Sequence, residues 1–291
     1  MSRFSCPPFF VVGSVRSGTT MLRQILERHP ALVCPEETHL FRWPHPFGTP
    51  DFRNVAVGNR TLKRHREIDG IDEDAFDAML NGSLTRRQLI ERYMEAYAAR
   101  RKPEATRWFE KSPQNVYGIQ LIQGLFPEAR FLHLVRHPLE VVSSLKVGKV
   151  MKVPSIVGAA NYWLEAVSTM LSFARGNGAA LWQARYEDFT GDPERYLESL
   201  FAFLDEPFDN AVTRELVLAP SSHREHGILT DTEIAQTWAV CGELAASFGY
   251  ACWPSAGARG HAQREGAAPG PERPAPRGET ARDAQPDPAA T

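Results

Sequence analysis

Residues 9–20, FFVVGSVRSGTT, constrain this chain more than any other stretch: an apolar run, a glycine-bounded loop and the start of an amphipathic helix follow one another directly. The run 9–15 reads as a strand buried on both faces, because it is almost continuously apolar and too short for a useful helix. Met21, Leu22, Ile25 and Leu26 then mark one face of a helix over 19–28. Between them, Gly13 to Thr20 has the spacing GxxxxG-x-[ST] of a phosphate-binding loop. Such a loop works because glycines admit close backbone approach and unpaired amides at a helix N-terminus face an anion. The lysine that reaches terminal phosphates in nucleotide triphosphatases is replaced by Thr19, and the loop's only cation is Arg16. An ATPase is therefore poorly supported. An anion held by Arg16, Ser17, Gly18, Thr19 and Thr20 remains well supported.

The rest of the chain alternates strand and helix signals. Strands are expected at 32–34, 107–110, 130–135 and 179–185, and helices at 114–125, 139–147, 156–175, 193–204 and 231–248. This alternation with apolar strands predicts an α/β protein, a P-loop-like three-layer fold with a central parallel sheet flanked by helices. Residues 42–106 break the rhythm with helical stretches at 73–80 and 85–101, and read as a helical insertion that serves as an acceptor-binding region. The 38 residues from 254 to 291 hold seven Pro, five Gly and ten Ala and no large apolar side chain. Such a segment cannot offset its ordering entropy, so a disordered tail is expected after a single domain over 1–253.

Charge narrows the function classes. Thirty-three Lys plus Arg stand against 35 Asp plus Glu, a formal net charge of −2. A nucleic-acid coat or polybasic membrane binder needs a cationic excess, so neither nucleic acid nor membrane is expected as a partner. Four cysteines (Cys6, Cys34, Cys241, Cys252) form no CxxC pair and no metal-finger spacing, and read as small buried hydrophobes. No apolar run reaches the ~18 residues of a spanning helix. A cytoplasmic protein with no metal is the expectation, compatible with a homo-oligomer.

Other charged residues fall at strand ends, where ligands bind in open α/β sheets. Arg136 ends the strand 130–135, and Ser144 lies about one and a half turns into the next helix, where it can face the same phosphate. Glu36 and Glu37 follow the second strand. Lys111 follows the strand 107–110, and with only six lysines in the chain it is less easily dismissed as routine surface. Tyr186 follows the strand 179–185.

These blocks resemble the sulfotransferases that use 3′-phosphoadenosine-5′-phosphosulfate (PAPS) and release 3′,5′-bisphosphoadenosine (PAP), and within them the branch of tyrosylprotein sulfotransferases. VRSGTT, His29-Pro30 and Pro35-Glu36-Glu37-Thr38 are similar to the 5′-phosphosulfate block, and Arg130 to Arg136 with Ser143-Ser144 to the 3′-phosphate block. The resemblance implies that Glu37 is the general base, that Lys111 contacts the oxygen bridging sulfate and phosphate, and that Arg16 joins them in catalysis. It implies cofactor contacts from Arg16, Ser17, Gly18, Thr19, Thr20, Arg136, Ser144, Tyr186 and, in a loop closing over the 3′-phosphate, Ser222. The product would be a sulfated small molecule, glycoside or phenol.

The sequence departs from the family pattern at three places. His39 stands where tyrosylprotein sulfotransferases carry Arg, which weakens the case for an acidic peptide. Thr237-Trp238 replaces a Lys-Trp pair, and Phe189 an aliphatic residue. A P-loop-derived small-molecule kinase and a non-catalytic nucleotide-binding protein remain as alternatives. The basic run 60–66 and Lys146, Lys149 and Lys152 read as solvated faces. Phe41, Trp43, Phe47 and Phe52 suit an acceptor pocket and a satellite core equally well.

Overall fold

The computed structural model describes residues 3–149, 151–208, 212 and 227–254. Five parallel strands form the centre: β1 (Phe9–Val11), β2 (Leu32–Val33), β3 (Arg107–Lys111), β4 (Arg130–Val135) and β5 (Leu181–Arg185), in the spatial order β2-β3-β1-β4-β5. β1 is central, with Phe9 in register with Phe109 on one side and Arg130 on the other. Its side chains alternate between two cores. Phe10 faces a cluster with Trp108, Phe126 and Phe131, while Phe9 and Val11 face Leu22, Phe109 and Leu134. A sheet buried on both faces is what the continuous apolar strands require.

Helices α1 (Thr19–Leu26) and α10 (Pro193–Leu204) contribute Leu22, Ile25 and Phe201 to the second core. Helices α5 (Arg86–Arg101) and α6 (Ile119–Leu125) contribute Met94 and Ile122 to the first. A third core joins α7 (Pro138–Val147), α8 (Ile156–Asn177) and α11 (Asp231–Ser247) through Val142, Trp163 and Cys241. A short helix α9 (Tyr186–Gly191) follows β5 directly. The insertion contains α2 (Pro50–Gly58), α3 (Arg60–Asp69) and α4 (Glu73–Asn81) before α5.

Several boundaries differ from the sequence expectation for identifiable reasons. β1 ends at Val11, because Gly13 at φ 136° turns the chain into the loop. A side chain at Gly13 would meet the imidazole of His133 at 2.5 Å, so loop and β4 approach as closely as backbone allows. Residues Pro113–Gly118 form a 3-10 turn, not the start of an α-helix, as Asn115 is drawn into side-chain bonding described below. The basic run is not wholly solvated. Arg66 is buried and donates to Glu73 and to the Ala56 carbonyl, all at 2.8 Å, while Arg60, Lys63 and Arg64 are exposed. Lys146 likewise donates to the Ile228 carbonyl and Glu233, tying α7 to the capped start of α11. Phe41 and Phe52 are buried in the first core with Phe47 packed against it, so these three belong to the core.

Candidate functional site

The carboxyl ends of β1, β3, β4 and β5 converge where α1 begins. Gly18, at φ 89°, precedes α1, and a Cβ there would lie 2.5 Å from the Tyr186 ring. Tyr186 is therefore packed directly on the loop. On its other side the Arg136 guanidinium lies 4.6 Å from the ring centroid, a cation–π contact. Arg136 also donates to the Arg16 carbonyl at 3.2 Å and pairs with Glu140 at 3.0 Å, one turn along α7. The Trp163 indole donates to the Arg136 carbonyl, so the strand end is held from behind by α8.

Arg16 occupies the left-handed region at φ 65°, and its Nε donates to Ser144 Oγ at 2.8 Å. The loop cation is thus joined to the hydroxyl on α7. Ser17 Oγ and Ser143 Oγ are buried and have no partner among the described residues. A buried hydroxyl left unpaired is costly, and Ser17 lies in the loop whose amides suit an anion. These residues fit a phosphate-bearing ligand: cations at Arg16 and Arg136, hydroxyls at Ser17, Thr19, Thr20 and Ser144, and the N-terminus of an eight-residue helix.

A lysine reaches the loop from β3. Lys111 ends that strand, is 2% exposed, and places Nζ 3.3 Å from Thr20 Oγ1 and 2.5 Å from Glu37 Oε1. Glu37 Oε2 lies 3.1 Å from Nε2 of buried His39. Burial alone would raise the Glu37 carboxyl, but the His39 hydrogen bond and the Lys111 charge outweigh it and hold the group at about 2. Glu36 points elsewhere. It pairs with Arg23 of α1 at 2.8 Å, and its amide donates to Asp69. The two adjacent carboxylates are thereby separated, one on the Lys111 side and one on α1.

A residue that sequence reasoning passed over organises this corner. Glu110, fully buried in β3, accepts from the Thr38 amide and hydroxyl, the Ser112 amide and hydroxyl, and the Asn115 amide side chain. Ser112 Oγ in turn accepts from the His39 amide, and Asn115 Oδ1 from the Phe41 amide. The segment 37–41 is thereby fastened to the end of β3 from both sides. A carboxylate directly after Trp108-Phe109 in a strand of a sheet buried on both faces was the available signal, since a buried carboxylate needs donors. Glu110→Gln would turn an amide NH₂ toward these donors. We expect it to lower unfolding free energy by roughly 2–4 kcal/mol, read from urea denaturation. His65, read with the basic run as a solvated face, is half-buried; its Nδ1 lies 2.8 Å from the Glu37 carbonyl, and its ring stacks on His39 at 5.9 Å.

Ser222 lies outside the described residues. Thr237 is buried and donates to the Glu233 carbonyl of its own helix. Among the described residues, no group of three or more His, Cys, Asp or Glu is placed to hold a metal ion, and no helix is long and apolar enough to cross a membrane.

Fold and site together define a P-loop-like α/β protein in which a lysine from the neighbouring strand reaches the phosphate loop. The sequence model of the sulfotransferase family matches residues 7–210, and the chain belongs to that family. It is 26% identical over 211 residues to a protein-tyrosine sulfotransferase of Drosophila melanogaster, a match covering 71% of this chain and 39% of that protein. It is 25% identical over 259 residues to an omega-hydroxy-beta-dihydromenaquinone-9 sulfotransferase of Mycobacterium bovis, covering 68% and 62%. The chain thus spans less than two thirds of the length of these relatives. Among solved structures, the sulfotransferase domain of the Synechococcus PCC 7002 olefin synthase shares the fold with a TM-score of 0.65 at 23% identity, covering 86% of this chain and 97% of that domain. The sulfotransferase domain from the curacin biosynthetic pathway does so with a TM-score of 0.55 at 19% identity, covering 84% and 99%.

Proposed function

We propose that this chain transfers the sulfuryl group of PAPS to the hydroxyl of a small-molecule, glycoside or phenol acceptor, with Glu37 as base. The observation that carries this reading is the Glu37–Lys111–Thr20 contact at the mouth of the phosphate loop, which sets a carboxylate and a buried cation side by side. PAPS, when bound, supplies an activated sulfuryl group on a phosphate leaving group. The chain supplies the rest. Ser17, Gly18, Thr19 and Thr20 would hold the 5′-phosphosulfate, with Lys111 at the bridging oxygen. Arg136 and Ser144 would hold the 3′-phosphate. Tyr186 fixes Arg136 and Gly18 against each other. Glu37 takes the acceptor proton on a carboxylate oxygen, and Lys111 and Arg16 stabilise charge on the transferring and departing groups.

The roles separate experimentally. Arg136→Gln removes a forked cation while keeping a hydrogen-bonding side chain. It should weaken PAP binding about 10–100-fold and leave 5′-AMP binding unchanged, because only PAP carries the 3′-phosphate. Titration calorimetry with both nucleotides checks it. An equal loss for both would count against assigning Arg136 to that phosphate.

A further inference from the structure

A cleft lined by polar side chains lies between the segment after β2, the 3-10 turn Pro113–Gly118 and the first half of α8. Arg42, Gln114, Tyr117, Asn161, Tyr162 and Glu165 line it, and it encloses about 230 Å³. Resting on the sulfotransferase reading, we infer that this cleft is the acceptor subsite and that it takes an uncharged carbohydrate-like ring.

Position comes first. Gln114 is three residues beyond Lys111, and Arg42 is five beyond Glu37. At no more than ~3.6 Å per residue, the Cα of Gln114 lies within about 11 Å of that of Lys111. The two segments are locked together by the His39–Ser112 and Phe41–Asn115 hydrogen bonds, so the cleft wall and the Glu37–Lys111 pair move as one. A ring seated in the cleft is thereby held on a wall rigidly tied to the segment that carries Glu37.

Chemistry selects the ring. The lining offers two carboxamides, two phenols, one cation and one anion, and none of the six is an aliphatic side chain. Arg42 and Glu165 cancel in charge, so the cleft has no excess to attract an acidic peptide. Arg42 is further occupied over the Trp43 ring at 4.9 Å. No aliphatic side chain lines it to grip a long-chain alcohol. A sugar ring instead matches mixed donors and acceptors with aromatic faces, and Tyr117, 42% exposed at the rim, offers such a face. Gln114 is only 6% exposed, yet its amide nitrogen has no partner among the described residues. A buried carboxamide left partly unpaired at a cleft wall is poised for a ligand hydroxyl. The volume falls below the ~300–1,000 Å³ of drug-sized pockets and suits one ring. Two cavities beside Glu37 and His39 hold about 10 Å³ each, too small for a ring.

The test uses the full chain saturated with PAP, after calorimetry has shown that PAP binds. A panel of methyl hexopyranosides and disaccharides, a tyrosine-containing acidic peptide and a long-chain alcohol are each titrated by saturation-transfer NMR. With PAPS in place of PAP, the same panel is assayed for sulfated product. We expect at least one glycoside to bind and to be sulfated, with the peptide and the alcohol inactive. Gln114→Leu and Asn161→Ala should each raise the glycoside KM at least tenfold, change kcat less than threefold and leave PAP affinity unaltered. Asn161→Ala lies on a helix surface and does not endanger folding. If PAP binds but no glycoside does, or the peptide or alcohol is the acceptor, the carbohydrate assignment falls while the sulfotransferase reading stands. If a glycoside is sulfated with an unchanged KM in both variants, the acceptor lies elsewhere. If PAP does not bind, both readings fall.

Discussion

Glu37→Gln is expected to lower sulfuryl transfer by about 10²–10⁴-fold while PAP affinity stays within about threefold. Gln is the informative replacement because its amide oxygen can still accept the proton of Lys111 Nζ, which is otherwise left buried beside Thr20 without its anion. A truncation to Ala would mix lost chemistry with an uncompensated buried charge. The same variant has a pH signature. Burial pushes the Glu37 carboxyl up, but His39 and Lys111 hold it near 2 in the fold, against an ordinary 4.5. A depressed folded value means stability that is fully present above pH 4.5 and is lost as pH falls through about 2. The stability gap between wild type and Glu37→Gln should accordingly narrow as denaturation is repeated from pH 5 downward. A gap that widens would show that the carboxylate is not held by these partners.

Lys111→Met is expected to cost about 10²–10³-fold in turnover, the scale of removing a preorganised donor from a site where charge develops. Met keeps the length of the side chain in a position that is almost fully buried. Loss of the ammonium also removes one of the two contacts that lower Glu37, so that carboxyl rises. The acid limb of the pH–rate profile should therefore move to higher pH, since the base is protonated earlier. A turnover loss with an unmoved acid limb would place Lys111 in binding without coupling to Glu37. In the free chain the base and the cation satisfy each other. Any anion that draws Lys111 off Oε1 frees the carboxylate and raises its basicity together.

The sheet was legible because its strands are short apolar runs separated by helical periods, a pattern that only a parallel sheet covered on both faces satisfies. The convergence of Arg16, Lys111 and Arg136 followed from their places at or next to strand ends. The insertion was only partly readable. Helix α3 carries a single buried aliphatic residue, Leu62, and owes its fixing to Asn59 at its N-cap and to buried Arg66. Neither produces a hydrophobic period. Glu110 was missed because its role depends on five donors from separate segments, which spacing along the chain cannot reveal. The resemblance put the base on Glu37, and the separate partners of Glu36 and Glu37 show only in three dimensions. Arg23 claims one and Lys111 the other, though both are neighbours in sequence. His39 read as a departure from the family pattern, whereas in the fold it is a buried partner of Glu37.

The central claim is that the loop, Arg136 and Ser144 together hold a nucleotide bearing phosphates at both the 5′ and the 3′ position. Calorimetric titration of the full chain with PAP, 5′-AMP and ATP tests it most directly. Two charge-assisted contacts to the 3′-phosphate, at roughly 1.5–3 kcal/mol each, predict PAP binding at least about 100-fold tighter than 5′-AMP, with ATP no better than 5′-AMP. Equal affinities for PAP and 5′-AMP would contradict the account.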